Sequence, residues 1–232
     1  MRPVRPTAGD RGDAGSARFE VLLEIEGVQV WQASGVLQWD GDQVDADLSL
    51  VGHEFRVPLA ELVLVGDEAY LTGEWLEEFG LVVPRGRWVS VSKEDDAAPA
   101  GLWREVEAQV WLGHPVTVLS ILALTGEPRP VSVERLRGDE LLRYWGTVEV
   151  QALANGPEVS DWLLDPAFLV DQGVTELTYG LVVDRDNAVR TFEVDAEVDG
   201  FTVWVTATYS GWGNPMSIRA PQDSVDWTEA LR

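Results

Sequence analysis

A run from His114 to Pro128, His-Pro-Val-Thr-Val-Leu-Ser-Ile-Leu-Ala-Leu-Thr-Gly-Glu-Pro, is apolar on nearly every side. Pro115 suits a first helical position, Gly126 the left-handed residue past a helix end, and Pro128 forbids continuation, so the run reads as one short helix. The β-branched Val116, Thr117, Val118 and Ile121 leave a buried strand as the rival reading. Either way it falls well short of the ~20 residues that span a bilayer. The rest of the chain must therefore wrap around it.

What can wrap it is visible in the alternation elsewhere. Val44, Ala46, Leu48 and Leu50 alternate with Asp45, Asp47 and Ser49 after the turn signal Asp40-Gly41-Asp42. Phe192, Val194, Ala196 and Val198 alternate with Glu193, Asp195, Glu197 and Asp199, and Asp199-Gly200 then turns the chain into Phe201–Tyr209. Further short strands are expected at 19–26, 36–39, 55–65, 69–71, 88–91, 131–136, 142–152 and 177–183. Leu102–Trp111 and Glu158–Val170 show helical spacing, the second broken at Asp165-Pro166 and closed by Gly173. Residues 93–101 read as a solvated loop. The fold class is α+β: a mostly antiparallel sheet over a small helical layer. Two strand-rich blocks, 19–92 and 131–220, with a helical segment inside, hint at a weak internal duplication.

Composition narrows the function. With 40 Asp+Glu against 17 Lys+Arg, the net charge of -23 argues against nucleic acid or an anionic membrane surface as a partner. The absence of cysteine removes disulfides, thiolate metal sites and thiol nucleophiles from the chain as given. Met1–Ala17 has no apolar h-region, so neither a signal peptide nor a transmembrane segment is expected there. His53 and His114 have no second ligand at a zinc-like spacing and read as surface or capping residues. No Gly-x-Ser-x-Gly elbow and no phosphate loop is present. Asp184-x-Asp186-Asn187 and Asp40-Gly41-Asp42 could offer oxygen to calcium, but hairpin turns use the same residues and no complete calcium loop follows. The carboxylates show no spacing that marks a glycosidase pair.

Several motifs in order carry a resemblance. Gly66-Asp67-Glu68-Ala69-Tyr70-Leu71, Gly86-Arg87-Trp88-Val89-Ser90-Val91, the short helix ending at Gly126, and Arg137-Gly138-Asp139 leading to Tyr144-Trp145-Gly146-Thr147-Val148-Glu149-Val150 resemble the LppX/LprA/LprF/LprG family of actinobacterial lipoproteins. Val182–Arg190 resembles that family's aspartate-containing hairpin, and Thr208–Pro215 with Ala220-Pro221 its closing tyrosine, glycine and proline pattern. The resemblance spans about Phe19–Pro221. It implies a LolA/LolB-like curved antiparallel half-barrel whose concave face is covered by short helices, with a hydrophobic cavity between. It also implies binding and transport of lipids or lipoglycans in the cell envelope without catalysis or cofactor, by a monomer that meets an envelope transporter or acceptor protein. Residues 1–18 would be a disordered or truncated N-terminal segment, 19–221 the lipid-binding domain, and 222–232 a C-terminal tail. The family's signal peptide and lipidated cysteine are missing from the chain as written. Either the start lies upstream and the location is extracytoplasmic, or the chain is a soluble relative in the cytoplasm.

The cavity lining expected on this reading is Leu119, Leu122, Trp162 and Phe168 from the helices, with Leu48, Leu50, Phe55, Val194 and Val203 from the sheet. A filled core is the other reading, in a module that binds protein or glycan through exposed tryptophans such as Trp204 or Trp212.

Overall fold

The computed structural model describes residues 15–41, 43–52, 58–83, 86–95, 97–115, 129–136, 139–155 and 166–231. Two antiparallel meanders make one sheet. The first comprises β1 (Gly15–Ile25), β2 (Val28–Asp40), β3 (Gln43–Gly52), β4 (Pro58–Val65), β5 (Glu68–Thr72) and β6 (Trp88–Ser92). The second comprises β7 (Arg129–Leu136), β8 (Asp139–Glu149), β9 (Glu176–Val183), β10 (Val189–Val198) and β11 (Phe201–Ser210). Antiparallel pairing of β1 with β11 joins the meanders, and a last strand, β12 (Ser224–Asp226), adds to β6 in parallel. The twelve strands run β12-β6-β5-β4-β3-β2-β1-β11-β10-β9-β8-β7 in an open, curved sheet that does not close into a barrel.

Two hairpins explain how the long central strands hold register. Ile25 pairs with Val28 and Val198 with Phe201, so each loop has two residues. Glu26 and Gly27 (φ 52 and 74°) and Asp199 and Gly200 (φ 52 and 81°) take the left-handed conformation that matches a two-residue turn to strand twist. Register then places every other side chain on one inner face: Ala17, Phe19 and Val21 of β1 lie opposite Leu37, Gly35 and Ala33 of β2, with Tyr209 and Ala207 of β11 on the other side. Gly35 is required there. A Cβ at this position would lie 2.3 Å from the Asp47 carbonyl oxygen of β3, so only glycine lets the two backbones approach.

Helix α1 (Leu102–Gly113) buries Leu102, Val106, Val110 and Gly113, a stripe of helical period, and packs on β1 and β2. Two shorter helices, α2 (Val150–Ala154) and α3 (Pro166–Asp171), pack against each other. A 3-10 turn (Glu74–Phe79) buries Leu76. Helix α4 (Trp227–Ala230) follows β12, with Asp226 capping it by accepting from the Thr228 N–H at 2.9 Å.

Several sequence expectations shift. The strand read over 142–152 ends at Glu149, because Val150 and Leu153, spaced as helical neighbours, are buried as α2 while the Val150 N–H donates to the Thr175 carbonyl at 3.0 Å. The sheet begins at Gly15, ahead of Phe19, and Ala17 is fully buried. Residues 28–35, unassigned from sequence, are the first part of β2. Segment 222–232, read as a tail, carries β12 and α4. The Trp227 indole is buried there and donates to Asp95 at 2.7 Å, which anchors the loop read as solvated. The helix expected at 114–125 is described only at His114 and Pro115, both buried and Pro115 helical; residues 116–128 lie outside the described residues.

Candidate functional site: the inner apolar face

The inner face is covered at one end of the sheet and uncovered at the other. Along β1, Ala17, Phe19 and Val21 are buried, Leu23 is half-buried and Ile25 is 36% exposed. Along β11, Tyr209, Ala207, Val205 and Val203 are buried and Phe201 is 55% exposed. On β2, Leu37 and Ala33 are buried, Trp31 is half-buried and Val28 is 56% exposed. The gradient ends where the two hairpin tips are tied together: the Glu26 N–H donates to the Thr202 carbonyl at 2.9 Å, and the Thr202 N–H to the Glu26 carboxylate at 2.6 Å.

The opposite end is closed by rings. His114, at the C-terminal end of α1, is buried between Trp39 (centroids 4.9 Å apart) and Trp111 (4.7 Å). Trp39 meets Trp212 edge-on at 6.2 Å, and Trp212 meets Tyr209 at 5.9 Å. Gly113 seats α1 here: a Cβ on it would lie 2.5 Å from the Phe19 ring. Burial pushes the Tyr209 phenol well above its ordinary value, so it stays protonated and can donate.

These contacts correct two readings. His114 is a buried residue held between two indoles tilted against it by 59° and 53°, not a surface one, although its N–H does end α1 on the Trp111 carbonyl. Trp212 is half-buried, with its indole N–H on the Val189 carbonyl at 3.0 Å and its ring against Trp39 and Tyr209, so it is part of the ring cluster rather than an exposed tryptophan. Trp204 is 41% exposed on the outer face, between Glu24 and Asp195 of the neighbouring strands.

Of the residues expected to line a cavity, Leu48, Leu50, Val194 and Val203 share the inner face, with Leu48, Val194 and Val203 buried and Leu50 half-buried toward the uncovered end. Phe168 is not part of the buried face. It is 50% exposed, and α3 buries Leu169, about 100° further round the helix, instead. Phe55, Leu119, Leu122 and Trp162 lie outside the described residues. The rim residues Ile25, Val28 and Phe201, with Leu23 and Trp31 behind them, were not singled out from sequence. The signal that could have found them is the apolar pair flanking Glu26-Gly27 and Asp199-Gly200.

The outer face is polar. A groove of about 540 Å³ runs over it, lined by Arg18, Glu20, Gln32, Ser34, Asp47 and Thr208 among others. The Gln32 amide donates to Glu20, and burial raises the Asp47 carboxyl above its ordinary value. The Asp184 carboxylate serves its hairpin rather than a cation: it accepts from the N–H groups of Asp186 (2.9 Å) and Ala188 (3.0 Å) and pairs with Arg190 at 2.7 Å. Asp40 and Gly41 form the β2–β3 turn; Asp42 lies outside the described residues.

No family model and no curated protein matches the sequence. Among solved structures, LprF from Mycobacterium bovis is similar at a TM-score of 0.51 and 14% identity, over 91% of each chain. The lipoprotein LppX from Mycobacterium tuberculosis is similar at 0.48 and 10%, over 88% of this chain and 89% of that one. A LolA superfamily protein from Nitrosomonas europaea is similar at 0.26 and 7%, over 91% and 89%. The first of these speaks for the fold. The chain has the LprF fold, an open curved antiparallel sheet with short helices on its apolar face, in agreement with the resemblance carried by its ordered motifs.

Proposed function

We propose that this protein is a non-catalytic lipid- or lipoglycan-binding carrier of the cell envelope, holding acyl chains along the inner face of its sheet. The observation that carries this reading is the exposure gradient: one apolar surface passes from buried at the ring cluster to open at Ile25, Val28 and Phe201. A surface of that form offers a chain a continuous path from solvent. Each methylene that follows it contributes about 0.8 kcal/mol, with no directional demand, so selectivity falls to the volume and to polar groups along the way. The LprF fold supports the reading. Leu48, Leu50, Val194 and Val203 would line the path, with Phe55, Leu119, Leu122 and Trp162 as further lining, and the protein would act as a monomer that receives cargo from, or delivers it to, an envelope transporter or acceptor protein.

Native mass spectrometry of the protein expressed in an actinobacterial host, followed by organic extraction, tests this. A lipid at near one-to-one ratio is the expected result; an apo mass unchanged after incubation with phospholipids and lipoglycans would refute it. The exposed Trp204 and the polar outer groove favour a second reading, a protein- or glycan-binding module with a filled core. Quenching of Trp fluorescence by soluble glycans, abolished by Trp204→Ala, together with the apo mass, would establish that reading instead.

A further inference from the structure

The outer face of the second meander carries two exposed indoles on either side of one strand. Trp145 of β8 lies opposite Gly180 of β9, and Gly180 lies opposite Glu193 of β10. A Cβ on Gly180 would lie 2.9 and 3.0 Å from two carbons of the Trp145 ring and 3.3 Å from the Glu193 carboxylate. The glycine therefore lets the indole lean across β9 toward that carboxylate, while the ring stays 46% exposed. Trp204 of β11 is 41% exposed and lies opposite Asp195, the next outward residue of β10. The two rings thus flank β10, one at Glu193 and the other at Asp195.

Between them β10 presents Glu193, Asp195 and Glu197 at alternate positions, so its charges recur about every 6.6 Å. Among the described ion pairs none includes these three carboxylates. The cations of β8–β11 lie beyond Glu193, at the end away from Glu197: Arg143 is level with Thr191 through Val182, and Arg190 pairs with Asp184. On β7, Arg129 is the partner of Trp145 on the side away from Gly180. Burial, and then the charge of Glu193, raise the Asp195 carboxyl, a repulsion that a partner's cation would relieve. An extended chain repeats its own alternate side chains at the same spacing of about 6.6 Å. Arg or Lys at such positions would meet one carboxylate each, and a guanidinium over either indole adds a cation–π contact. A neutral glycan could stack on one ring but leaves the row of charge unanswered, and the net charge of -23 repels an anionic partner.

We propose that this outer face docks an extended protein segment with Arg or Lys at alternate positions, laid along β10 with Trp145 on one side and Trp204 on the other. The site lies on the opposite face of the sheet from the apolar path, so it stands whether or not the inner face holds a lipid.

The full-length protein is titrated at low salt with two peptides of one composition, Arg-Thr-Arg-Thr-Arg-Thr and Arg-Arg-Arg-Thr-Thr-Thr, followed by Trp fluorescence and backbone amide shifts. The alternating peptide is expected to bind about threefold or more tightly than its clustered isomer, with shifts centred on β9–β11. Trp145→Ala and Trp204→Ala should each weaken it about two- to fivefold, as an exposed cation–π contact would. Glu193→Gln combined with Asp195→Asn should weaken it about fivefold or more. Glu78→Gln, an exposed carboxylate on the 3-10 turn, makes a like change in net charge and should leave binding as it was. Thermal midpoints no lower than wild type show that the losses are not folding defects. Absence of binding would overturn the proposal. Equal binding of the two isomers, or an equal loss in Glu78→Gln, would overturn it in favour of diffuse charge attraction. Displacement of the peptide by cellotetraose or mannotetraose at equal concentration would reassign the face to a glycan.

Discussion

The seat of α1 on the sheet can be tested at Gly113. A Cβ there would lie 2.5, 2.5 and 2.7 Å from three carbons of the Phe19 ring, where ordinary contact begins near 3.4 Å. The ring cannot swing away, since Phe19 is 4% exposed and held in the core. Gly113→Ala must then lift α1 or displace Phe19 by about 1 Å, an overpacking cost of roughly 1–3 kcal/mol. Against this stands a gain in helix propensity of up to about 1 kcal/mol, smaller at a last helical residue. The net expectation is destabilisation by about 1–2 kcal/mol, which in a chain of this size lowers the thermal midpoint by roughly 3–6 °C. Phe19→Leu alone should cost about 1.5 kcal/mol through lost packing. Combined, the two changes should be less harmful than their sum by about 1 kcal/mol or more, because the smaller side chain makes room for the added methyl. Denaturant unfolding of the four species measures the cycle. A stabilising Gly113→Ala, or strict additivity with Phe19→Leu, would refute the argument that α1 is seated on that ring.

Leu50→Trp, placed half-buried on the path toward the uncovered end, should abolish uptake of an apolar fluorescent probe while lowering stability by no more than about 1–3 kcal/mol; unchanged probe stoichiometry would count against the inner-face path. Asp184→Ala leaves two hairpin N–H groups and Arg190 without their acceptor and should cost about 2–3 kcal/mol, whereas Asp184→Asn, which keeps a carbonyl oxygen, should cost about half as much by chemical denaturation. Burial first, and then the charge of Glu193, raise the Asp195 carboxyl above its ordinary 3.8, so its ionised form opposes folding above the raised value and that penalty fades as pH falls toward 3.8. Asp195→Asn should therefore raise the thermal midpoint at pH 7 and leave it unchanged near pH 3.5; an equal shift at both values would show that ionisation is not the cause. Removal of residues 222–231 strips β12 from β6 and the Trp227 indole from Asp95, and should expose the β6 edge to rapid amide exchange at Trp88, whose N–H donates to the Asp223 carbonyl, and at Ser90.

The sequence by itself determined what depends on the nearest few residues. Period-two alternation placed β3, β10 and β11 and assigned Leu48, Val194 and Val203 to the buried face, since a strand with one apolar side can bury only that side. Turn chemistry located the Asp199-Gly200 hairpin, and helical spacing located α1. The tertiary structure decided what depends on distant neighbours. Ser34 and Gly35 hid the first part of β2, because the need for a missing Cβ comes from β3. Phe168 and Leu169 are equally apolar and adjacent, and only the packing of α3 chose between them. His114 and Trp212 read as surface residues until Trp39 and Trp111 closed on the one and Val189 on the other. The parallel pairing of β12 with β6 joins residues far apart in sequence, with a strand too short to show any period. The gradient from closed end to open rim is likewise invisible in the chain order, since it exists only once β1 and β11 lie side by side and their two hairpin tips meet.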